Sequence, residues 1–154
     1  MALNAGDKAP DFDLLTDGGG HISSADLSGK SFVIYFYPKD DTSGCTKEAQ
    51  AFSSLLGEFE SIGVPVIGVS PDGVKSHDKF RTKYALTIRL AADESHATIE
   101  AFGAWAEKSM YGKKYMGVER STFLVGKDGR IARAWPKVKV DGHAEEVLAA
   151  AKAL

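Results

Sequence analysis

The sequence predicts a three-layer α/β sandwich with a mixed central sheet, and three observations lead there. Residues 31–37 (SFVIYFY) and 64–70 (VPVIGVS) are continuous apolar runs, the pattern of strands covered on both faces. Between them Phe52, Leu55, Leu56, Phe59 and Ile62 recur at helical spacing, so strand, helix and strand form a parallel crossover unit. Residues 121–125 and 130–135 are joined by Gly126-Lys127-Asp128-Gly129, which reads as an antiparallel hairpin with Asp-Gly in a type I′ turn. Parallel and antiparallel pairing in 154 residues, the length of one domain spanning 1–154, calls for helices on both faces of one sheet.

The elements follow in order. Residues 6–11 are an extended lead-in to a short strand over 12–16. Asp17-Gly18-Gly19-Gly20 is a turn, and 21–23 return as the second strand of an N-terminal hairpin. Residues 24–30 make a short helical turn that ends at Gly29. The strand at 31–37 leads into a helix over about 44–62 that Gly63 breaks, then the strand at 64–70 and the turn Pro71-Asp72-Gly73. Helical periodicity returns over 74–84 with Phe80 and Tyr84 on one face, and 88–93 form a short strand. Ser95 is placed to cap a helix through Phe102, which Gly103 stops. Residues 105–115 read as an aromatic and basic loop. A helix over 144–154 carries Val147, Ala151 and Leu154 on one side, with Glu145 and Glu146 suited to its first turn. A thioredoxin-like core with an N-terminal β-hairpin extension has this order.

Bulk composition narrows the function classes. A net charge of −2 gives no basic surface to attract nucleic acid or an anionic membrane, so neither partner is expected. Residues 1–8 lack the basic start and apolar block of a secretory signal, and no stretch is long enough to span a bilayer, so a cytoplasmic location is the default expectation. One cysteine allows no internal disulfide. The four histidines, His21, His77, His96 and His143, lack metal-ligand spacing and read as surface or capping residues. No metal or other cofactor is expected. Gly18-Gly19-Gly20 has no strand–helix context and reads as a flexible turn, not a phosphate loop.

The lone cysteine, Cys45, lies where the buried strand gives way to the helix. First-turn N–H groups have no intrahelical partner and favour an anion such as a thiolate. An ordinary thiol titrates near 8.5, and a helix end contributes only about 0.3–1 kcal/mol, so a reactive thiolate at neutral pH calls for a cation as well. Arg120, just ahead of the strand at 121–125, is the best-placed candidate; its bland alternative is a solvated strand-edge arginine. Glu48, in the helix's first turn, could orient that arginine or simply be an acid suited to a helix start. Thr42 is three residues before Cys45, in capping range and near the sulfur. Pro38 would keep water off one side while offering no N–H. Gly44 and the polar residues 39–44 argue for an exposed sulfur. Trp105 reads first as core or pocket wall.

Pro38-x-x-x-Thr42-x-x-Cys45 resembles the peroxidatic motif of peroxiredoxins. The wider stretch Tyr35-Phe36-Tyr37-Pro38-Lys39-Asp40-Asp41-Thr42-Ser43-Gly44-Cys45-Thr46-Lys47-Glu48-Ala49 resembles the bacterioferritin comigratory protein branch, also called PrxQ. Ala9-Pro10-Asp11-Phe12, Leu27-x-Gly29-Lys30, Gly117-Val118-Glu119-Arg120-Ser121-Thr122-Phe123 and the segment holding Trp105, Glu107-Lys108 and Gly112-Lys113 are similar to the same branch. The resemblance implies a thiol peroxidase acting on hydrogen peroxide and small organic hydroperoxides. It implies that Cys45 attacks the peroxide and that Arg120 contacts both thiolate and peroxide. Thr42, Arg120 and the Cys45 N–H would stabilise the leaving oxygen. It also suggests a monomer or weak homodimer. Ser43 stands where the branch usually has proline, and Gln50 where it often has a resolving cysteine. A one-cysteine cycle follows, with reduction by thioredoxin, glutaredoxin, a low-molecular-weight thiol such as glutathione, or a second copy of Cys45. Two other classes stay open on the residues alone. One is a cysteine hydrolase with a histidine close in space; the other is a thiol redox sensor or binding module oxidised stoichiometrically at Cys45.

Overall fold

Runs that are apolar at every position need cover on both faces, and the structure, a computed structural model describing residues 3–154, puts them mid-sheet. Met1 and Ala2, the start of the expected domain, lie outside the described residues. The strands are β1 (Asp13–Thr16), β2 (His21–Ser23), β3 (Phe32–Phe36), β4 (Val66–Ser70), β5 (Arg89–Ala92), β6 (Trp105–Met110), β7 (Lys113–Val118), β8 (Ser121–Val125) and β9 (Ile131–Trp135). The helices are α1 (Ser43–Ser61), α2 (Val74–Tyr84), α3 (Ala97–Ala101) and α4 (His143–Lys152). Seven strands form one sheet in the order β2-β1-β5-β4-β3-β8-β9. β3, β4 and β5 are parallel, while β1 pairs antiparallel with β5 and β8 with β3, so the sheet is mixed as expected.

Alternate residues of β3 point to opposite faces. Val33 and Tyr35 join one core with Phe52 and Phe59 of α1, Phe80 of α2, and Ala144, Val147, Leu148 and Ala151 of α4. Phe32, Ile34 and Phe36 join the other with Phe12, Leu27, Ile99 and Phe102, so the second helical layer is thin, made of α3 and the N-terminal segment. The N-terminal hairpin extends the sheet at one edge. Its Asp17 is buried, accepts from the Leu90 N–H at 2.9 Å and pairs with Arg81 of α2.

The structure corrects several local expectations. Residues 105–115 are not a loop: β6 and β7 pair antiparallel across Tyr111 and Gly112, with φ of 52° and 77°, the positive values a two-residue type I′ turn needs. Most of this hairpin is exposed, so burial left no apolar alternation to read. The 126–129 turn, conversely, is not type I′. Only Gly129 has positive φ, and the bonds Gly129 N–H to Gly126 O (3.0 Å) and Gly126 N–H to Arg130 O (2.8 Å) define a three-residue loop with a bulge. Ser95 is a minor cap for α3, since the Asp93 carboxylate takes the Ile99 N–H at 2.8 Å. Leu154 is 59% exposed because α4 ends before it. Ile62, just past α1, is likewise exposed.

Candidate active site

A strand that ends and a helix that begins leave free backbone groups on both, and the polypeptide between β3 and α1 builds the site from that junction. Thr42 holds the N-cap position with extended backbone (φ −94°, ψ 157°), and its carbonyl accepts the Thr46 N–H at 2.8 Å. Its hydroxyl does not cap the helix, contrary to expectation. It donates instead to the Lys39 carbonyl at 2.8 Å, closing the loop on itself. Pro38 is half-buried at the end of β3 and, like Thr42, makes no hydrogen bond to Cys45.

Cys45 is only 1% exposed, which overturns the expectation of an exposed thiol. The first turn of α1 faces inward, and the sulfur packs in the same core cluster as Tyr35, Tyr37 and Phe52. It is not enclosed by hydrocarbon alone. Arg120, between β7 and β8, reaches across from the far side of β3 and puts Nη2 3.3 Å from Sγ. Its backbone is held by the Val138 N–H on its carbonyl at 3.0 Å, and the preceding Glu119 N–H donates to Ala104 O at 2.7 Å. Gly44 leaves the guanidinium its space: a Cβ there would sit 3.2 Å from Nη2.

Glu48 is one turn along α1 from Cys45, and its Oε1 accepts from Arg120 Nη1 at 2.7 Å. One guanidinium therefore serves a sulfur with one nitrogen and a carboxylate with the other, the use for which its planar fork is suited. Burial pushes the Glu48 carboxyl up to about 7, against the opposing pull of Arg120. Burial also raises the Tyr35 phenol, reinforced by the negative charges of Glu48 and Cys45. Among the described residues, the buried side-chain polar atoms without a partner are Tyr35 Oη, Thr46 Oγ1, Glu48 Oε2 and Ser121 Oγ. Tyr35 lies on β3 in the core cluster that holds Cys45, Thr46 and Glu48 are on α1's first turns, and Ser121 follows Arg120. Unspent hydrogen-bonding capacity of this kind is rare in a folded interior; Thr46 and Glu48 carry it on the first turns of α1, whereas Ser121 shares its sheet face with Phe36 and the second core.

Two histidines are not the surface residues expected. His77 is fully buried against Asp40, and His143 is buried with Nε2 2.8 Å from Thr122 Oγ1, its pKa lowered to about 4 chiefly by burial. Both had a readable signal, because His77 shares the helical face of Phe80 and Tyr84, and His143 that of Val147 and Ala151. Trp105 stacks on His96 (centroids 4.0 Å apart) and packs on the second core, a wall as expected. With His21 on Asp13, every histidine is engaged elsewhere and none bonds Cys45, which removes the hydrolase arrangement. No group of three or more His, Cys, Asp or Glu among the described residues could hold a metal ion, and no helix there is long and apolar enough to cross a membrane.

The family model described as the AhpC/TSA family matches residues 5–134. The chain belongs to that family. Putative peroxiredoxin bcp of Coxiella burnetii is 48% identical over 148 residues, covering 96% of this chain and 98% of that protein. Peroxiredoxin Bcp of Bacillus subtilis is 46% identical over 148 residues, covering 96% and 94%. Among solved structures, Xanthomonas campestris Peroxiredoxin Q superimposes with a TM-score of 0.91 at 46% identity, covering 97% of each chain. A Xylella fastidiosa PrxQ mutant gives 0.93 at 43% identity, covering 99% of this chain and 98% of that one. The fold is thioredoxin-like, and the protein is a peroxiredoxin of the Bcp/PrxQ branch, a thiol-dependent peroxidase. This peroxiredoxin has a single cysteine, and Gln50 is exposed on α1 where the branch often has its resolving cysteine.

Proposed function

We propose that Cys45 is the peroxidatic nucleophile, Arg120 the cation that holds it as thiolate, Glu48 the residue that positions Arg120, and Thr42 and Pro38 the walls of the peroxide site. The observation that carries this reading is Arg120 Nη2 at 3.3 Å from Sγ with Nη1 tied to Glu48. The thiolate attacks one peroxide oxygen in line, a sulfur–oxygen bond forms, and the oxygen–oxygen bond breaks with its electron pair on the leaving oxygen. That oxygen takes the peroxide's own proton and departs as water or alcohol, leaving a sulfenic acid once the sulfur's oxygen is protonated. Guanidinium N–H groups and the first-turn N–H of Cys45 are the donors available to the developing charge. Thr42 acts differently from the sequence reading. Its hydroxyl proton is committed to Lys39 O, so its lone pairs accept from the peroxide O–H and orient it.

The substrates are hydrogen peroxide and small organic hydroperoxides. A neighbouring structure of the X. campestris bacterioferritin comigratory protein is described by its alkyl peroxide reduction activity, which supports the second class. With no second cysteine in the chain, the sulfenic acid is reduced by an external thiol: thioredoxin, glutaredoxin or a low-molecular-weight thiol. We further propose that residues 1–154 act as one domain, as a cytoplasmic monomer or weak homodimer. Stopped-flow oxidation by hydrogen peroxide tests the assignment: the wild type reacts fast, Cys45→Ser not at all, and Arg120→Ala slowly. An Arg120→Ala rate equal to wild type would remove the cation assignment. Peroxide consumption that stops at one equivalent with every thiol supplied would favour a redox sensor.

A further inference from the structure

A second polar assembly lies on the other side of the loop that leads to Cys45, and the peroxidase reaction as described does not use it. Asp40 is buried two residues after Pro38 and two before Thr42. Its Oδ1 accepts from the Tyr37 hydroxyl at 2.6 Å, and its Oδ2 from the Ser76 hydroxyl at 2.8 Å and from His77 Nδ1 at 2.7 Å. His77 Nε2 lies 2.9 Å from the Ala91 carbonyl, which can only accept. A ring that faces a carboxylate on one nitrogen and a carbonyl on the other donates from both, so His77 is an imidazolium paired with Asp40 inside the protein. The Asp40 N–H is tied to Asp72 Oδ2 at 2.8 Å, and Asp72 also accepts from the Ser70 hydroxyl. On the outer side, Asp41 is held at φ 60°, an unfavourable value for a residue with a side chain, by Lys83 and Tyr84 of α2.

The loop is therefore strained and is kept in place largely by side chains of α2. A cavity of about 450 Å³ lined by Asp40, Asp41, Ser76, Lys79, Phe80 and Lys83 opens on this seam. Catalysis makes two conflicting demands there. Peroxide is small and needs Thr42 and Pro38 fixed beside the sulfur, whereas a protein thiol must bring its own sulfur to about 2.05 Å from an atom that is 1% exposed. The first turn of α1 must loosen for the second step, and residues 38–42 are what precede it.

We propose that Asp40 and His77 are positioning residues: the buried pair latches residues 38–42 in the arrangement that encloses Cys45 for peroxide, and its release admits a bulky thiol. The inference rests on Cys45 being the peroxidatic residue only for its catalytic consequence. In the reductive step a thiol attacks the sulfenic sulfur, forming a disulfide and releasing water, and a second thiol resolves that disulfide.

The groups facing His77 are Asp40 from the loop, Asp72 from the turn after β4, Tyr37 from beyond β3 and the Ala91 carbonyl of β5. Burial works against the imidazolium, but the Asp40 bond and the charges of Asp40 and Asp72 outweigh it, so its pKa is raised. The latch is thus fully charged below the ordinary histidine value and is lost as pH rises through the raised one.

The test uses the double variant Asp40→Asn/His77→Gln, which keeps size and polarity without the ion pair, beside Lys83→Ala as an outer-anchor control. Cys45 is labelled with N-ethylmaleimide and with a polyethylene-glycol maleimide of protein-like bulk. The ratio of the two rates cancels the thiolate fraction and reports opening alone. In wild type the ratio is low and climbs with pH. In the double variant it is about tenfold higher and flat with pH, as expected for local opening, while peroxide oxidation slows by about 10- to 100-fold. Lys83→Ala, which leaves Tyr84 on Asp41 and the buried pair intact, gives a ratio closer to wild type than to the double variant. A wild-type ratio that is flat with pH, or a double variant with the wild-type ratio, overturns the latch. A variant that slows both reagents equally and melts early shows a merely structural pair and overturns it too. If the wild type does not react with peroxide at all, the peroxidatic reading fails instead, and the labelling ratio still decides the latch.

Discussion

Two ion pairs flank Cys45, and they are built to opposite specifications. Arg120–Glu48 and Asp40–His77 each close at 2.7 Å with an almost fully buried carboxylate. In the first, Glu48 uses one oxygen and leaves the other unpartnered, and Arg120 divides its nitrogens between a carboxylate and a sulfur. In the second, Asp40 accepts from three side chains and both ring nitrogens of His77 are engaged. A saturated pair has no capacity to follow a moving charge and serves to hold geometry. An unsaturated one can redistribute its hydrogen bonds as charge moves from sulfur to oxygen. On the proposed assignment, the difference separates the residues that act on peroxide from those that hold them.

The comparison breaks most readily at the saturated pair. Asp40→Asn leaves an imidazolium buried without its counter-charge and is expected to cost about 3–5 kcal/mol, read as a lower urea midpoint with an unchanged m-value. Arg120→Ala at the other pair is expected to slow peroxide oxidation by about 10²–10³-fold, the loss typical of one oxyanion donor. Arg120→Lys should recover little, because a point charge cannot address Glu48 and the sulfur together.

Titration sharpens the contrast. Glu48 has a folded value of about 7 against 4.5 ordinarily, so the folded state holds its proton more tightly. Its contribution to stability is fully present below about 4.5 and is lost as pH rises through about 7. His143 behaves oppositely: lowered from 6.5 to about 4, it favours the folded state above 6.5 and that contribution is lost as pH falls. The two slopes oppose each other across the acidic range. Glu48→Gln should therefore make stability rise more steeply with pH over that range, measured as urea midpoints at successive pH values. The smallest effect belongs to the exposed Lys83–Asp41 pair, where Lys83→Ala should leave the melting temperature within experimental scatter.

The parts of the fold legible in advance were those where burial writes itself into composition. β3, β4 and α1 are unambiguous because each buries a large apolar surface. The β6–β7 hairpin was not, since Glu107, Lys108, Lys113 and Lys114 are solvated and no face of it alternates. The ladder from Trp105–Val118 to Met110–Lys113 and the positive φ of Tyr111 and Gly112 identify it. At the site, Cys45 and its place at a helix start were readable, as was the need for a cation and Arg120 as the candidate. The polarity of residues 39–44 does not signal an exposed sulfur, because these residues spend it on one another, on Asp72 and on α2. His77 reads as a surface or capping residue although it shares the helical face of Phe80 and Tyr84, because histidine is as much at home on a surface as in a core.

By itself the sequence determined the layered architecture, the proposed nucleophile and the chemistry a thiol can do, because these depend on residue type and on spacing along one chain. Tertiary structure alone decided that Arg120 reaches the sulfur from 75 residues away and that Glu48 shares it. It also decided that Thr42 turns its proton to Lys39 and that Asp40 meets His77. A hydrogen bond is settled within a few tenths of an ångström, and strand order, not local sequence, brings distant atoms to that range.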